Sequence, residues 1–81
     1  MTVKVRYFAS IREALGAGED VGLVPTVAAL RDHLIASSPA HAQALARGKA
    51  LRCALNQALT DESHALRDGD EVAFFPPVTG G

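Results

Sequence analysis

The sequence has 81 residues, of which 48% are hydrophobic and 21% are charged, and its formal net charge is −1. This length fits one domain with a thin core, and the apolar content is too high for an intrinsically disordered segment. The near-neutral charge and an aromatic content of 5% argue against nucleic-acid binding. No apolar run approaches the roughly 20 residues that span a bilayer. A single cysteine and the absence of a signal peptide predict a cytoplasmic location.

The first quarter of the chain predicts a strand, a short helix and a second strand. Residues 2–9 alternate between apolar and polar side chains, which is typical of a half-buried strand. Ser10 stands three residues before Glu13, the spacing of a capping box, which predicts a helix over residues 11–15. A second strand is expected over residues 20–24, returning beside the first.

The main helix is predicted after Pro25. Thr26 is a favourable N-cap, and apolar residues then recur at helical spacing, at Val27, Leu30 and Leu34. Arg31 and Asp32 are expected on the opposite side, and the helix is expected to end near residues 37–38.

The remaining chain predicts a further short helix and three strands, over residues 39–45, 51–55, 58–59 and 71–75. Asn56-Gln57 and Asp68-Gly69-Asp70 are expected to be turns. Pro76 and Pro77 end strand pairing, because proline has no N–H to donate.

This element order predicts an α+β fold, in which one mixed sheet has the main helix packed across one face. The first and last strands are expected side by side in its centre. A hairpin, a helix and further strands in a chain of this size are the β-grasp (ubiquitin-like) arrangement. We expect a β-grasp domain over residues 1–75 and an extended C-terminal tail over residues 76–81.

The tail is the chemically informative segment. Pro76 and Pro77 hold the chain extended, and six residues at about 3.3 Å each reach roughly 20 Å. Gly81 has no side chain to hinder attack at its carbonyl carbon, and Gly80 lets the backbone enter a narrow tunnel. The pattern predicts a projecting arm whose terminal carboxylate is adenylated and then converted to a thiocarboxylate.

Two aromatic residues predict a docking face beside this tail. If Val72 and Phe74 face the core, Phe75 lies on the opposite face of the sheet, and Phe8 falls on that face by the same alternation. Two exposed aromatics indicate a partner surface. The alternatives are that a loop covers them, or that they are scattered surface residues.

No other residues predict a catalytic or metal site. Cys53 is expected on the apolar face of a strand as a small hydrophobe rather than a sulfur relay. The three histidines, His33, His41 and His64, lack metal-ligand spacing and are expected at solvated positions. Asp61 and Glu62 are expected to be loop acids. We therefore predict no catalytic apparatus and no cofactor held by this chain.

Several segments resemble the small subunit of molybdopterin synthase, a ubiquitin-like family of sulfur carriers. They are the opening run from Val3 to Ala9, Ile11-Arg12-Glu13, Pro25-Thr26-Val27, Leu55-Asn56-Gln57 and, most specifically, Asp68 to Gly81 with its Phe-Phe-Pro-Pro-Val-Thr-Gly-Gly end.

The resemblance implies a β-grasp fold and a set of partners. A ubiquitin-activating-type adenylyltransferase would charge Gly81 with ATP, and a sulfur donor would convert the adenylate to a thiocarboxylate. The tail would then enter the large subunit and deliver sulfur to cyclic pyranopterin monophosphate, within a heterotetramer of two small and two large subunits. By the match, Gly81 carries the sulfur, Gly80 lines the tunnel passage, and the segment Phe75, Pro76, Pro77, Val78 and Thr79 contacts the partners.

Three alternatives remain open at this point. Sulfur carriers of the thiamine pathway and ubiquitin-like protein modifiers share the Gly-Gly end, and the domain could also be a plain interaction module with an inert tail.

Overall fold

The computed structural model describes residues 1–77, which form a five-stranded sheet and three helices. In chain order the elements are β1 (Thr2–Tyr7), α1 (Ala9–Leu15), β2 (Gly18–Gly22), α2 (Val27–Ser37), α3 (Pro39–Ala44), β3 (Arg52–Leu55), β4 (Ala58–Thr60) and β5 (Glu71–Phe75). The strand order is β2-β1-β5-β3-β4, in which β1 and β5 are parallel and the other neighbours antiparallel. The predicted α+β fold with β1 and β5 in the centre is confirmed.

The core lies between one face of this sheet and the helices. Alternate residues of the two central strands are buried, and these are Val3, Val5, Tyr7, Val72 and Phe74. From the other side α2 contributes Val27, Leu30 and Leu34, each no more than 1% exposed. Strand alternation and helical periodicity therefore meet in one apolar layer, as the sequence predicts.

The capping box predicted at Ser10 is wrong. Helix α1 begins at Ala9, and its N-cap is Phe8, which makes no side-chain capping hydrogen bond. Ala9 adopts a φ of 53°, so a sharp backbone turn, rather than a capping side chain, takes the chain from β1 into the helix. The predicted end at Gly16 is confirmed, since this residue has a φ of 91° and closes the helix.

Strand β2 begins and ends two residues earlier than the predicted 20–24. The C-terminal end of β2 is set by its pairing with β1, because Gly22 pairs with Thr2, the first residue of β1. At the other end a Cβ on Gly18 would lie 2.2 Å from the carbonyl oxygen of Val5. Only glycine allows the two backbones to approach this closely.

Helix α2 begins as predicted, and the Oγ1 of Thr26 accepts a hydrogen bond from the backbone N–H of Ala29 at 3.1 Å. The predicted solvent position of Arg31, however, is wrong, because only 3% of this residue is exposed. Its position lies next to Leu30 and three residues before Leu34, so it falls at the border of the apolar stripe. Sequence periodicity does not distinguish a border arginine that points inward from one that points out.

The guanidinium of Arg31 holds two loops against α2. It donates to the carbonyl oxygens of Leu45 at 2.8 Å and Ala46 at 2.6 Å, and to Glu62 Oε2 at 2.7 Å. Glu62 also accepts from Arg47. Burial alone would raise the pKa of the Glu62 carboxyl, but its hydrogen bonds to Arg47 and Arg31 outweigh this effect and lower the pKa. Glu62 is thus a loop acid, as expected, and in addition forms ion pairs with both arginines.

A second polar cluster corrects the expectation for His41. Its Nε2 lies 2.7 Å from Glu19 Oε2, and its Nδ1 lies 2.6 Å from the Oγ of Ser38, which caps α3. Tyr7 donates its hydroxyl to the same Glu19 oxygen at 2.8 Å. His41 is half-buried and connects α3 to β2, whereas His33 and His64 are exposed as predicted. Burial is the main cause of the raised pKa of the Tyr7 phenol, and the bond to Glu19 adds to it.

No helix within residues 1–77 combines the length and the apolar character needed to cross a membrane.

Candidate partner-binding face and tail root

The face of the sheet that points away from the helices, here called the outer face, has a row of small side chains at its centre. The strand register places Arg6 of β1 beside Ala73 of β5, Ala73 beside Ala54 of β3, and Ala54 beside Leu59 of β4. Because two alanines occupy the middle of this row, the outer face is lowest there.

A concave surface of about 770 Å³ lies over these alanines. It is lined by Arg6, Phe8, Ala9, Ala54, Gln57, Glu71, Ala73, Phe75, Pro76 and Pro77. Aromatic rings and prolines surround the small floor, while charged and amide groups stand at the edge. An apolar depression with a polar edge is typical of a surface that receives another molecule.

The structure brings together the predicted partner residues that it describes. Phe8 is 42% exposed, and its backbone N–H donates to the carbonyl oxygen of Phe74 at 3.3 Å, which holds it next to β5. Phe75 is half-buried beside the alanines. Both residues lie on the outer face as predicted, and no loop within residues 1–77 covers Phe8. Their contact with a partner stays a prediction.

The tail begins at the edge of this concavity. Pro76 and Pro77 follow the central strand β5 directly and line the depression themselves. The four remaining predicted site residues, Val78, Thr79, Gly80 and Gly81, lie outside the described residues. Any molecule that binds the tail from its first residue onward therefore also meets the outer face.

Sequence reasoning missed Leu59 as a surface residue. It is 71% exposed on the short edge strand β4 and extends the central row of the outer face. The signal was available, because the two-residue turn at Asn56-Gln57 fixes which residues of β3 and β4 share a face. Ala54 and Leu59 are opposite each other in that register, and Leu59 is the exposed apolar residue.

The charges of the outer face lie around the apolar centre. Arg6 Nη1 is 3.5 Å from Glu71 Oε1, a loose and exposed pair that contributes little to stability. Within residues 1–77, Lys4 and Arg52 form no ion pair. Asn56 Nδ2 donates to Asp70 Oδ1 at 3.1 Å, and its Oδ1 accepts from the N–H of Glu71 at 3.0 Å. These two bonds fix the turn at the corner of the concavity.

Cys53, the residue considered as a sulfur relay, is buried in the structure. Cys53 is 5% exposed, its Sγ–H donates to the carbonyl of Thr60 at 3.4 Å, and burial raises the pKa of its thiol. A thiol in that state is a poor nucleophile, which agrees with the predicted packing role. Among residues 1–77, no three His, Cys, Asp or Glu side chains converge as metal ligands.

Known proteins resemble the whole chain in both sequence and fold. The ThiS family model matches residues 5–81. The molybdopterin synthase sulfur carrier subunit of Escherichia coli is 54% identical over 81 residues, which cover 98% of this chain and 99% of that protein.

Two solved structures extend the comparison. In a protein–protein complex of subunits 1 and 2 of molybdopterin-converting factor from Helicobacter pylori, the matching chain superposes with a TM-score of 0.71 at 30% identity and full coverage of both chains. The small archaeal modifier protein SAMP1 from Haloferax volcanii superposes with a TM-score of 0.79 at 26% identity, again over 100% of both chains. These neighbours confirm the predicted β-grasp fold, and the full-length matches establish that the chain belongs to the ThiS family.

Proposed function

We propose that this chain is the sulfur-carrier small subunit of a molybdopterin synthase, and that the carboxylate of Gly81 is the group that carries sulfur. The observation that carries the proposal is the tail root. Pro76 and Pro77 leave the central strand at the edge of an apolar concavity, and the sequence continues Val-Thr-Gly-Gly. The outer face and the reactive tail therefore lie next to each other, so that one partner protein can bind both.

The chemistry requires an activated carboxylate. An oxygen of the Gly81 carboxylate attacks the α-phosphate of ATP, pyrophosphate leaves, and an acyl adenylate forms on the activating enzyme. Sulfur at the oxidation level of sulfide then attacks the acyl carbon, the bond to AMP breaks, and a thiocarboxylate remains. The absence of Cβ atoms at Gly80 and Gly81 lets a narrow channel close around the reacting carbonyl.

Within this proposal, ATP and the sulfur donor are supplied by partners, and the chain itself binds no cofactor. The partners are a ubiquitin-activating-type adenylyltransferase, a sulfur donor and the large subunit. Two copies of this chain and two large subunits form a heterotetramer. The Helicobacter pylori complex of subunits 1 and 2 supports the large subunit as a partner. We place these steps in the cytoplasm, where the single buried Cys53 would remain a thiol.

A second candidate function is protein modification, in which the activated Gly81 forms an amide with a lysine of another protein. It is favoured by the match to a small archaeal modifier protein. The two functions share the activation step and differ in the nucleophile. Immunoblots of cell lysates would reveal modification as a ladder of heavier conjugates, whereas a carrier would remain at its own mass.

Rescue of molybdenum-cofactor formation in cells that lack the gene tests the proposal. A chain truncated by Gly81 should fold but fail to rescue, because the next carboxylate is one residue too short. Gly48→Ala is the matched control, since Gly48 is exposed and a Cβ there would meet no atom within 4 Å. Rescue by the truncated chain would refute Gly81 as the carrier, and a thiamine requirement in the same cells would favour the other sulfur pathway.

A further inference from the structure

The backbone of the described chain is left-handed at three residues that are not glycine. They are Ala9 with a φ of 53°, Asn56 with 49° and Gln57 with 71°. A side chain in this region of backbone conformation costs on the order of 1 kcal/mol of folding free energy. Such a residue therefore indicates that another interaction, or a function, outweighs this cost. Two of the three, Ala9 and Gln57, line the concavity of the outer face.

Asn56 and Ala9 have explanations within the fold. The carboxamide of Asn56 binds both Asp70 and the N–H of Glu71, and asparagine tolerates the left-handed region better than most residues. Ala9 has the smallest possible side chain beyond glycine, and it lies where β1 passes into α1.

Gln57 has no comparable explanation. It is the second residue of a two-residue turn in which both residues have positive φ, a position where glycine is strongly preferred. The side chain is exposed, and its carboxamide forms no hydrogen bond with any residue in the range 1–77. Nothing that this part of the chain does for its own stability accounts for a glutamine at position 57.

The location of Gln57 suggests its use. It stands at the polar edge of the concavity together with Arg6 and Glu71, with the apolar floor of Ala54 and Ala73 beside it. A carboxamide both donates and accepts hydrogen bonds, which matches the N–H and C=O of a peptide group. A charged group of a partner would instead form an ion pair with Arg6 or Glu71.

We propose that Gln57 is a recognition residue of the outer face, whose carboxamide binds a main-chain peptide group of the large subunit when that protein docks. The inference rests on the proposed function and adds a contact to it. The strained backbone presents the carboxamide toward the partner, so the stability lost at the turn is regained as affinity in the complex.

The test compares two substitutions by titration against the large subunit of the same organism. Gln57→Ala removes the carboxamide but keeps the Cβ and the strain, and Gln57→Gly removes both. Each variant should raise the Kd of the complex by about three- to tenfold, the range for one lost hydrogen bond. Only Gln57→Gly should raise the melting temperature, by about 4 °C.

Gln43→Ala is the matched control, because it removes the same exposed side chain from α3, on the helix side of the sheet. It should leave the Kd unchanged. Wild-type affinity in both Gln57 variants would overturn the inference alone, and so would a lower melting temperature for Gln57→Gly. Failure of the unaltered chain to bind the large subunit would overturn the proposed function, and the inference with it.

Discussion

The two faces of the sheet satisfy different requirements. On the helix side the core is closed and, among residues 1–77, no buried side-chain nitrogen or oxygen lacks a hydrogen-bond partner. The outer face instead exposes Phe8 and Leu59, carries an unbonded carboxamide at Gln57, and leaves a depression over two alanines. The difference teaches that one face is closed by the fold itself, whereas the other keeps apolar and polar groups exposed, and it is there that we propose a second protein docks.

Phe74 and Phe75 give the sharpest test of this division, since they are neighbours that point to opposite faces. Phe74→Ala should lower the free energy of unfolding by about 3–5 kcal/mol, because it leaves a cavity in the core. Phe75→Ala should lower it far less, yet weaken binding to the large subunit. Urea unfolding and titration of the complex measure the two effects. Equal destabilisation by both variants would refute the division of roles.

Arg31 and Arg52 provide a second pair of like residues on opposite sides. Arg31→Met should cost about 2–3 kcal/mol of unfolding free energy, because the buried carbonyl group of Leu45 and the partly buried one of Ala46 lose their donors. Arg52→Met should change stability by less than about 0.5 kcal/mol, since the residue is exposed. Thermal unfolding followed by circular dichroism compares them. A neutral Arg31 variant would show that the two loops are held by other contacts.

A smaller effect is expected from pH. The pKa of Glu62 in the folded chain lies below its ordinary value of 4.5, so between these values the unfolded chain binds more protons. The contribution of this group to stability is therefore complete above about pH 4.5 and decreases as the pH falls further. Glu62→Gln should make the free energy of unfolding, measured with urea, decrease less steeply at acid pH. Part of the decrease should remain, because the pKa of Glu19 is also lowered.

Glu13→Gln serves as the control for the pH experiment, because Glu13 is exposed and forms no ion pair within residues 1–77. It should leave the acid-side decrease as in the unaltered chain. An identical pH profile for Glu62→Gln would contradict the assigned role of the Arg31–Glu62–Arg47 cluster.

The sequence predicts the fold well where a periodic pattern meets a single apolar layer. The alternation of β1 and β5 and the spacing of Val27, Leu30 and Leu34 identify the core, and Thr26 identifies the start of α2. The first helix was misplaced at its start, because its entry depends on the left-handed backbone of Ala9 and not on a capping side chain. A local pattern such as the spacing of Ser10 and Glu13 does not reveal the backbone conformation of Ala9.

The polar residues that link separate elements, one buried and one half-buried, were beyond sequence reasoning for a related reason. Arg31 and His41 are recognised only once the loops that supply their partners are placed, and those partners are 14 to 31 residues away for Arg31. The outer face was partly predicted, through Phe8 and Phe75. Leu59 was missed although the predicted two-residue turn already implied that it shares a face with Ala54, whereas the left-handed backbone of Gln57 could not be inferred from the sequence.

The most direct test of the account is the intact mass of the chain after incubation with ATP, the activating enzyme and a sulfur donor. The prediction is a mass gain equal to the exchange of one oxygen for sulfur, located at Gly81 and absent from a chain with one bulky residue added after it. An unchanged mass with enzyme that demonstrably turns over ATP, or sulfur found on Cys53 instead, would contradict it.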